Sequence, residues 1–382
     1  TASFNSSING NGNNLSLNFS GDSVAIDGAF VGIADFVAET DVSLEGSITT
    51  TGSQTYESNA ALAGDTTLSG ANVSFNNGID GNNNNLSLDM SGLTALGGGI
   101  SNIANFSSTG DVSLTGNFTT SGSQAYGGAT NLTDDTVLSG TTASFNSSIN
   151  GNGNNLSLNM SGPTSLSNGA VGLNSLDVNG NVSLAGDFST TGSQTYTGDL
   201  SLEGDTSLSG SSASFSGVTG NNNSLSLNFT QSKWIIINGN LTGLNDLTVD
   251  VRLARISGSI TTTGSQTYAG NTSLDADTTL SGTNATFNSS IDGKGNNLSL
   301  DMSGLTALDA GISNIANFSS TGDVSLAGNF STSGSQTLAG NVSLSGDTAL
   351  SGTTGSLAGV VGNNNNLSLN FSGGSVAIDG AF

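Results

Sequence analysis

The chain has 382 residues, of which 28 are acidic and four are basic; it has no histidine and no cysteine, and its formal net charge is −24. Imidazole and thiolate groups supply the usual general base, the usual strong nucleophile and the usual zinc or copper ligands, so these forms of chemistry are excluded. A strongly acidic chain repels nucleic acid, and no stretch of about 18 apolar residues is present to span a membrane. The composition therefore predicts a protein that is not an enzyme, does not bind nucleic acid and does not insert into a membrane.

Glycine, serine, threonine and asparagine dominate the chain, and such a composition is often disordered. However, 34% of the residues are hydrophobic, they alternate with small polar residues along the whole sequence, and only one proline occurs. This alternation is typical of half-buried β-strands rather than of disordered linkers. We therefore predict an ordered all-β protein.

A unit of about 70 residues recurs roughly five times along the sequence. The glutamine of an SQ dipeptide marks it at steps of 70, 70, 72 and 70 residues, at Gln54, Gln124, Gln194, Gln266 and Gln336. The repeat units are approximately 1–70, 71–140, 141–210, 211–282, 283–352 and a partial unit at 353–382. A long internal period indicates a solenoid, in which stacked repeats bury a core that a single repeat cannot bury.

Short predicted strands follow one another within each repeat. Passing from the third repeat into the fourth, they are VSLAG at 182–186, LSLEG at 200–204 and LSLNF at 225–229. Glycine, asparagine and Asp-Gly pairs separate them, and these residues tolerate the left-handed backbone of tight corners. Strands of this length, with neither hairpin spacing nor helical period, predict a parallel β-solenoid with about three coils per repeat; four shorter coils are the alternative.

Nearly the same segment stands at both ends of the sequence. Residues 13–30 and 365–382 differ at one position, and residues 91–118 return at 303–330 with three changes. We therefore expect residues 1–382 to be a single continuous β-solenoid taken from a longer array, or one subunit that continues into an identical neighbour. The expected partner is the chain itself, as a homopolymer or longer array.

An aspartate recurs at the corner that precedes each LSG motif. Periodic carboxylates can bind calcium between coils, but the glycine-rich nonapeptide typical of calcium-binding solenoids is missing, so turn formation is the alternative. No other cofactor and no other metal is predicted. The calcium candidates are Asp65, Asp135, Asp205, Asp277 and Asp347.

Asn-x-Ser/Thr sequences are frequent and are acceptors for N-glycosylation in exported proteins. The alternative is that these asparagines form turns and stacked amide ladders. The candidate glycosylation sites include Asn105, Asn117, Asn181, Asn317 and Asn341.

Residues 230–258 depart from the repeat pattern. They hold the one tryptophan and three of the four basic residues, namely Lys233, Trp234, Arg252 and Arg255. A tryptophan beside cations can bind a sugar ring or an acidic neighbouring subunit. We interpret these four residues as a candidate contact patch, with simple sequence drift of one repeat as the alternative.

The polar stretch TTTGSQTY at 261–268 has close copies in the other repeats. Arrays of hydroxyl groups on a flat face can bind sugars or ice, but such a face would recur in every coil, whereas this stretch recurs once per repeat. A structural role is therefore favoured over a binding role. A carbohydrate-binding solenoid that recognises surface glycans along a Ser/Thr/Asn-rich face is kept as the alternative function.

Residues 180–210, GNVSLAGDFSTTGSQTYTGDLSLEGDTSLSG, with the variant start GDVSLAGNF at 322–330, resemble the β-strand repeats of large bacterial surface adhesins. These repeats are similar to those of the filamentous-haemagglutinin class, and the resemblance covers essentially the whole chain. It implies a right-handed parallel β-helix that is extracellular and fibrous. Together with the composition it predicts a structural filament or adhesin shaft at a cell surface, self-associating end to end, that serves attachment or scaffolds a biofilm matrix.

Overall fold

The structure is a computed structural model that describes residues 2–21, 23–230 and 234–380. It divides into two compact units: an amino-terminal unit, Thr1–Gly192 with Tyr196–Gly198, and a carboxy-terminal unit, Ser193–Thr195 with Asp199–Phe382. Within each unit every recorded strand pair is parallel, and together the units hold about 20 solenoid turns. The described residues contain no helix, and thus none of a length and hydropathy that could cross a membrane. The predicted all-β parallel β-solenoid is confirmed.

The strands of the amino-terminal unit are β1 Ala2–Phe4, β2 Ile8–Leu17, β3 Val24–Ile26, β4 Phe30–Ala38, β5 Val42–Thr50, β6 Ser53–Tyr56, β7 Ala60–Gly70, β8 Asn72–Phe75, β9 Ile79–Asp80, β10 Leu86–Met90, β11 Leu93–Leu96, β12 Ile100–Ile103, β13 Phe106–Ser108, β14 Asp111–Thr120, β15 Ser123–Tyr126, β16 Thr130–Gly140, β17 Thr142–Phe145, β18 Ile149–Asn150, β19 Leu156–Met160, β20 Thr164–Leu166, β21 Ala170–Leu173, β22 Leu176–Asn179 and β23 Val182–Thr190. Strand β24, Ser193–Tyr196, lies where the two units divide.

The strands of the carboxy-terminal unit are β25 Leu200–Ser209, β26 Ser212–Ser214, β27 Val218–Thr219, β28 Leu225–Phe229, β29 Ile235–Asn238, β30 Leu241–Leu244, β31 Leu247–Val251, β32 Leu253–Ser257, β33 Ser259–Thr262, β34 Ser265–Tyr268, β35 Asn271–Leu274, β36 Thr278–Gly282, β37 Asn284–Phe287, β38 Ile291–Asp292, β39 Leu298–Met302, β40 Leu305–Leu308, β41 Ile312–Ile315, β42 Phe318–Ser320, β43 Asp323–Thr332, β44 Ser335–Gly352, β45 Thr354–Val361, β46 Leu367–Phe371 and β47 Val376–Ile378.

Each turn has three sides, as the pairing around β11 shows. The chain passes through β11, β12 and β13, and the start of β14 then pairs with β11, so that Thr94 lies beside Val112. Paired residues on successive turns are 17 to 23 positions apart, for example Ile33 with Thr50 and Val218 with Leu241. Neighbouring parallel strands lie about 4.8 Å apart, and their backbone hydrogen bonds run along the solenoid axis.

The 70-residue repeat does not contain a whole number of turns. In the amino-terminal unit one column runs through Gln54, Val73, Thr94 and Val112, which is three turns, and Gln124 lies two sides further on. The carboxy-terminal unit repeats this arrangement, with a column of Gln266, Ala285, Thr306 and Val324 and with Gln336 two sides beyond it. One repeat therefore advances by three and two-thirds turns. This value lies between the two sequence-based predictions, which are about three turns per repeat and, as the alternative, four.

Inward-facing apolar side chains stack from turn to turn and form the core. Ile26, Leu44 and Leu62 lie in register on three successive turns, and each is fully buried. Full burial of such a side chain contributes about 1.5–3 kcal/mol relative to exposure. The alternation that predicted strands in the sequence is thus the alternation between this core and the outer surface.

One corner of each repeat has a left-handed backbone. Asn82 and Asn83 have φ angles of 46° and 64°, and the Asn82 side chain donates to the Leu62 carbonyl at 3.0 Å. Asparagine tolerates this conformation better than other residues with a Cβ atom, and its amide satisfies a carbonyl of the preceding turn. The residues at the position of Asn82 in the other copies also have positive φ: Asn11, Asn152, Asn221, Lys294 and Asn363.

Candidate functional site

The glutamine of the SQ motif is buried inside a corner and is not part of a surface. Gln54 is fully buried, and its Nε2 donates to the Ile48 carbonyl at 3.1 Å and to the Ser69 carbonyl, one turn ahead, at 3.0 Å. Its Oε1 accepts a hydrogen bond from the Tyr56 hydroxyl at 3.0 Å. The amide therefore joins two turns from within. The pairs Gln124–Tyr126 and Gln266–Tyr268 have the same geometry.

The tyrosine rings add an aromatic stack to this corner. Tyr56 stacks on Phe75 of the next turn with ring centroids 4.4 Å apart, and the equivalent pairs are 4.5 and 4.6 Å apart. Desolvation by burial raises the pKa of Tyr56 well above its ordinary value, and it does the same for Tyr126, Tyr196 and Tyr268. The structural role predicted for the SQ motif fits this geometry, but sequence reasoning missed that the glutamine itself is in the core.

Each aspartate predicted as a calcium candidate accepts a backbone hydrogen bond from the next turn of the solenoid. The Asp65 carboxylate accepts the Asn85 backbone N–H at 2.9 Å and the Asn85 side-chain amide at 3.0 Å. These hydrogen bonds, the backbone one first, hold the pKa of Asp65 below its ordinary value, and those of Asp135, Asp277 and Asp347 are lowered in the same way. Asp205 accepts the Ser224 N–H at 2.8 Å.

Among the residues that the structure describes, no group of three or more carboxylates is placed so that it could hold a metal ion. The recurring aspartates are therefore hydrogen-bond acceptors between successive turns of the solenoid, a structural role that differs from the turn formation given as the alternative to calcium binding. Calcium binding stays a prediction.

The candidate glycosylation sites are all exposed. The Asn105 amide nitrogen donates to the Asn85 side chain at 2.8 Å, while its oxygen accepts the Ser123 N–H at 2.9 Å. Asn317 repeats this ladder, and the Asn341 amide nitrogen donates to Asp323 at 3.1 Å. Asn117 lies on an exposed position of β14, and Asn181 precedes β23. The predicted alternative of an amide ladder thus describes Asn105 and Asn317.

Polar side chains on the outer faces bond to one another between turns. Ser107 donates to Ser87 at 3.1 Å, and the Thr115 and Thr133 hydroxyls lie 2.6 Å apart. In the amino-terminal unit a groove of about 550 Å³ is lined by small residues such as Ser43, Ala61 and Ser101 and by Asp41 and Asp80. Asp41 accepts the Asn59 N–H at 3.0 Å and Asp80 accepts the Asn102 amide at 3.0 Å, so both carboxylates already serve the fold.

The predicted contact patch is part of a larger cluster in the carboxy-terminal unit. The Arg255 guanidinium carbon lies 5.4 Å from the centroid of the Trp234 ring, and Trp234 is 46% exposed. Arg255 Nη2 pairs with Asp275 Oδ2 at 2.8 Å, and Lys294 Nζ pairs with Asp275 Oδ1 at 2.9 Å. The structure thus brings Trp234 and Arg255 together, and it adds two residues that sequence reasoning did not place in the patch.

The remaining two patch residues are further from this cluster. Arg252 is exposed between β31 and β32 and makes no ion pair with any residue that the structure describes, and Lys233 lies outside the described residues. Desolvation of Asp275 opposes its ionisation, but the hydrogen bonds and charges of Lys294 and Arg255 together outweigh it, so the pKa of Asp275 is below its ordinary value. The cluster therefore carries two positive charges and one negative charge at neutral pH.

Comparison with other proteins gives no family assignment. No family model, no curated protein and no solved structure matches the chain.

Proposed function

We propose that this chain is a structural shaft segment of an extracellular filament or adhesin at a cell surface. The observation that supports this most directly is the regular parallel pairing of successive turns within each unit, with a stacked apolar core beneath it. Backbone hydrogen bonds along the axis share an extending force between the three sides of every turn. Such a segment gives reach for attachment or for a matrix scaffold.

The surface chemistry supports a structural role rather than catalysis. The recurring aspartates and asparagines form hydrogen bonds from one turn to the next, as in Asp65–Asn85–Asn105. We therefore propose that the protein is not an enzyme. The large excess of exposed carboxylates keeps separate filaments apart by repulsion and favours solubility.

End-to-end self-association is part of the proposal. A parallel turn has backbone donors and acceptors on both of its edges, so a turn of a second copy can extend the same hydrogen-bonded ladder. In this arrangement the partner of the chain is a further copy of itself, and it requires no cofactor.

Electron microscopy of the purified protein at several concentrations tests this proposal. We expect unbranched rods whose length grows with concentration, because association along the axis is concentration-dependent. Rods that keep a single length at every concentration would contradict end-to-end association. Compact particles without any elongated form would contradict the shaft itself.

A further inference from the structure

The cluster around Asp275 is built from four residues that break the repeat pattern at one place. Arg255 stands in the register position of Ser113 and Ser325, and Trp234 stands in that of Leu93 and Leu305. The other copies have neutral residues or a glutamate where Asp275 lies: Ala63, Thr133, Glu203 and Ser345. These four positions lie on four successive turns, along the side formed by β29, β32, β35 and β38.

Lys294 is the most unusual of these departures. It has a φ of +48° at the position where every other copy has an asparagine. The asparagines donate to a carbonyl of the preceding turn, as Asn152 does to Leu132 at 3.0 Å, whereas the Lys294 side chain reaches Asp275. A lysine in the left-handed region is unfavourable, and an unfavourable backbone retained at an exposed site points to a role for its side chain.

The two cations have hydrogen-bond donors left for a ligand. Each gives one contact to Asp275, while the side chains of Arg255 and Lys294 are 32% and 44% exposed. Arg255 Nε is buried and has no hydrogen-bond partner among the described residues, so the donors that remain for a ligand are on the Arg255 Nη groups and Lys294 Nζ. Charge-assisted hydrogen bonds from a guanidinium and an ammonium favour a carboxylate as the ligand group that these donors would bind.

The indole ring adds a flat surface beside these cations. Trp234 is among the most exposed of the large hydrophobic side chains, and it lies within cation–π distance of Arg255. Aromatic rings of this kind pack against the apolar face of a sugar ring, and the extent of one indole is about that of one such ring. An aromatic surface next to carboxylate-binding cations therefore matches one ligand class best.

We propose that Trp234, Arg255 and Lys294 form a binding site for a carboxylated sugar residue, a uronate of an acidic polysaccharide. Its ring would pack on Trp234 and its carboxylate would bind between Arg255 and Lys294, with Asp275 fixing both cations. The site does not depend on the shaft proposal, because it lies within one unit of a single chain.

The chain offers a direct optical probe of this site, since Trp234 is its only tryptophan. Titration with oligogalacturonate, followed by tryptophan fluorescence at low protein concentration, should give a saturable change that weakens as salt is added. Neutral galactose oligomers of the same length should give a response at least tenfold weaker.

Residues from the other copies supply variants that the fold already accommodates. Arg255→Ser and Lys294→Asn should each weaken oligogalacturonate binding at least tenfold. The double variant Trp234→Leu with Leu305→Trp moves the probe to the equivalent exposed position, which has Ser325 in place of Arg255, and its fluorescence should not respond.

Three outcomes would overturn the assignment. Equal responses to neutral and acidic oligomers would show that the cations do not select the ligand. A fluorescence change that follows protein concentration without sugar, together with dimers in sedimentation, would make this surface a contact between copies. The absence of any saturable response at millimolar sugar would remove the site.

Discussion

Two copies of the same corner differ in an aromatic pair, since Tyr56 and Phe75 of one correspond to Leu338 and Leu357 of the other. At Gln54 the amide donates to two carbonyls and its oxygen accepts the Tyr56 hydroxyl. At Gln336 the amide again donates to two carbonyls, each at 2.8 Å, but Leu338 replaces the tyrosine and the buried Gln336 Oε1 has no hydrogen-bond partner among the described residues.

The difference separates two functions of the glutamine. Both corners keep the Nε2 donor that joins carbonyls of successive turns. The donor contacts are therefore the part of the glutamine that the two corners share. The acceptor is satisfied only where a tyrosine follows two residues later, and a buried unsatisfied acceptor costs about 1–3 kcal/mol. The corner at Gln336 is therefore expected to be the weaker of the two.

The largest effect is expected from removing the amide. In Gln54→Leu two carbonyls and the Tyr56 hydroxyl lose their partner, and we expect a loss of about 2–4 kcal/mol in local stability. Gln336→Leu should cost less, because it leaves no hydroxyl behind and removes an oxygen that is already unpaired. Hydrogen exchange of the amides in β6 and at the start of β44 measures each local opening free energy. Equal losses at both corners would show that Tyr56 adds nothing.

A smaller effect is expected from alkali, and only at the corners with a tyrosine. Burial raises the tyrosine pKa in the folded protein. The stabilisation of the fold by each buried neutral tyrosine is therefore complete below pH 10.0, the ordinary tyrosine pKa, and is lost as the pH rises above that value. The loss should be about 1.4 kcal/mol per pH unit for each buried tyrosine.

Ultraviolet absorbance of tyrosinate, recorded with circular dichroism, checks this expectation. Tyrosinate should form only as the β-structure is lost, and replacing Tyr56, Tyr126 and Tyr268 by phenylalanine should move the transition to higher pH. Tyrosines that ionise near their ordinary pKa while the dichroism is unchanged would contradict the buried hydroxyls.

The smallest effect is expected from repairing the weaker corner. Leu338→Tyr together with Leu357→Phe recreates the pair seen at Tyr56 and Phe75, since Leu338 and Leu357 are in register. The new hydroxyl would satisfy Gln336 Oε1, and we expect a gain of about 1 kcal/mol from the hydrogen bond and the ring stack. Leu338→Phe with Leu357→Phe is the matched control, because it adds the stack alone. A gain of the same size in both variants would assign it to the rings.

Much of the fold could be predicted from the sequence because alternation and recurrence report directly on burial. The alternating VSL and LSL motifs gave the strands, and the glycine and asparagine corners gave the turns, as Asn82 shows. The number of turns per repeat could not be obtained in this way, because a motif such as SQ recurs on a different side each time. Only the register between turns shows that the advance is three and two-thirds turns.

The candidate site was predicted only in part. Trp234 and Arg255 stand out by residue type, but Asp275 is one of many acidic residues and lies 20 positions from Arg255. A signal was present in Lys294, which replaces an asparagine found in all other copies of its corner. The role of Lys294 is visible only once the turns are known to be about 20 residues long, because turns of this length place Asp275 directly between Arg255 and Lys294.

The fractional advance of the repeat has a consequence for how such a gene can change length. In a continuous solenoid of this pitch, losing or gaining one repeat by recombination rotates everything beyond it by a third of a circle. Three repeats restore the original facing, because they complete whole turns. The nearly identical residues 91–118 and 303–330 are three repeats apart, which is the spacing that keeps the original facing.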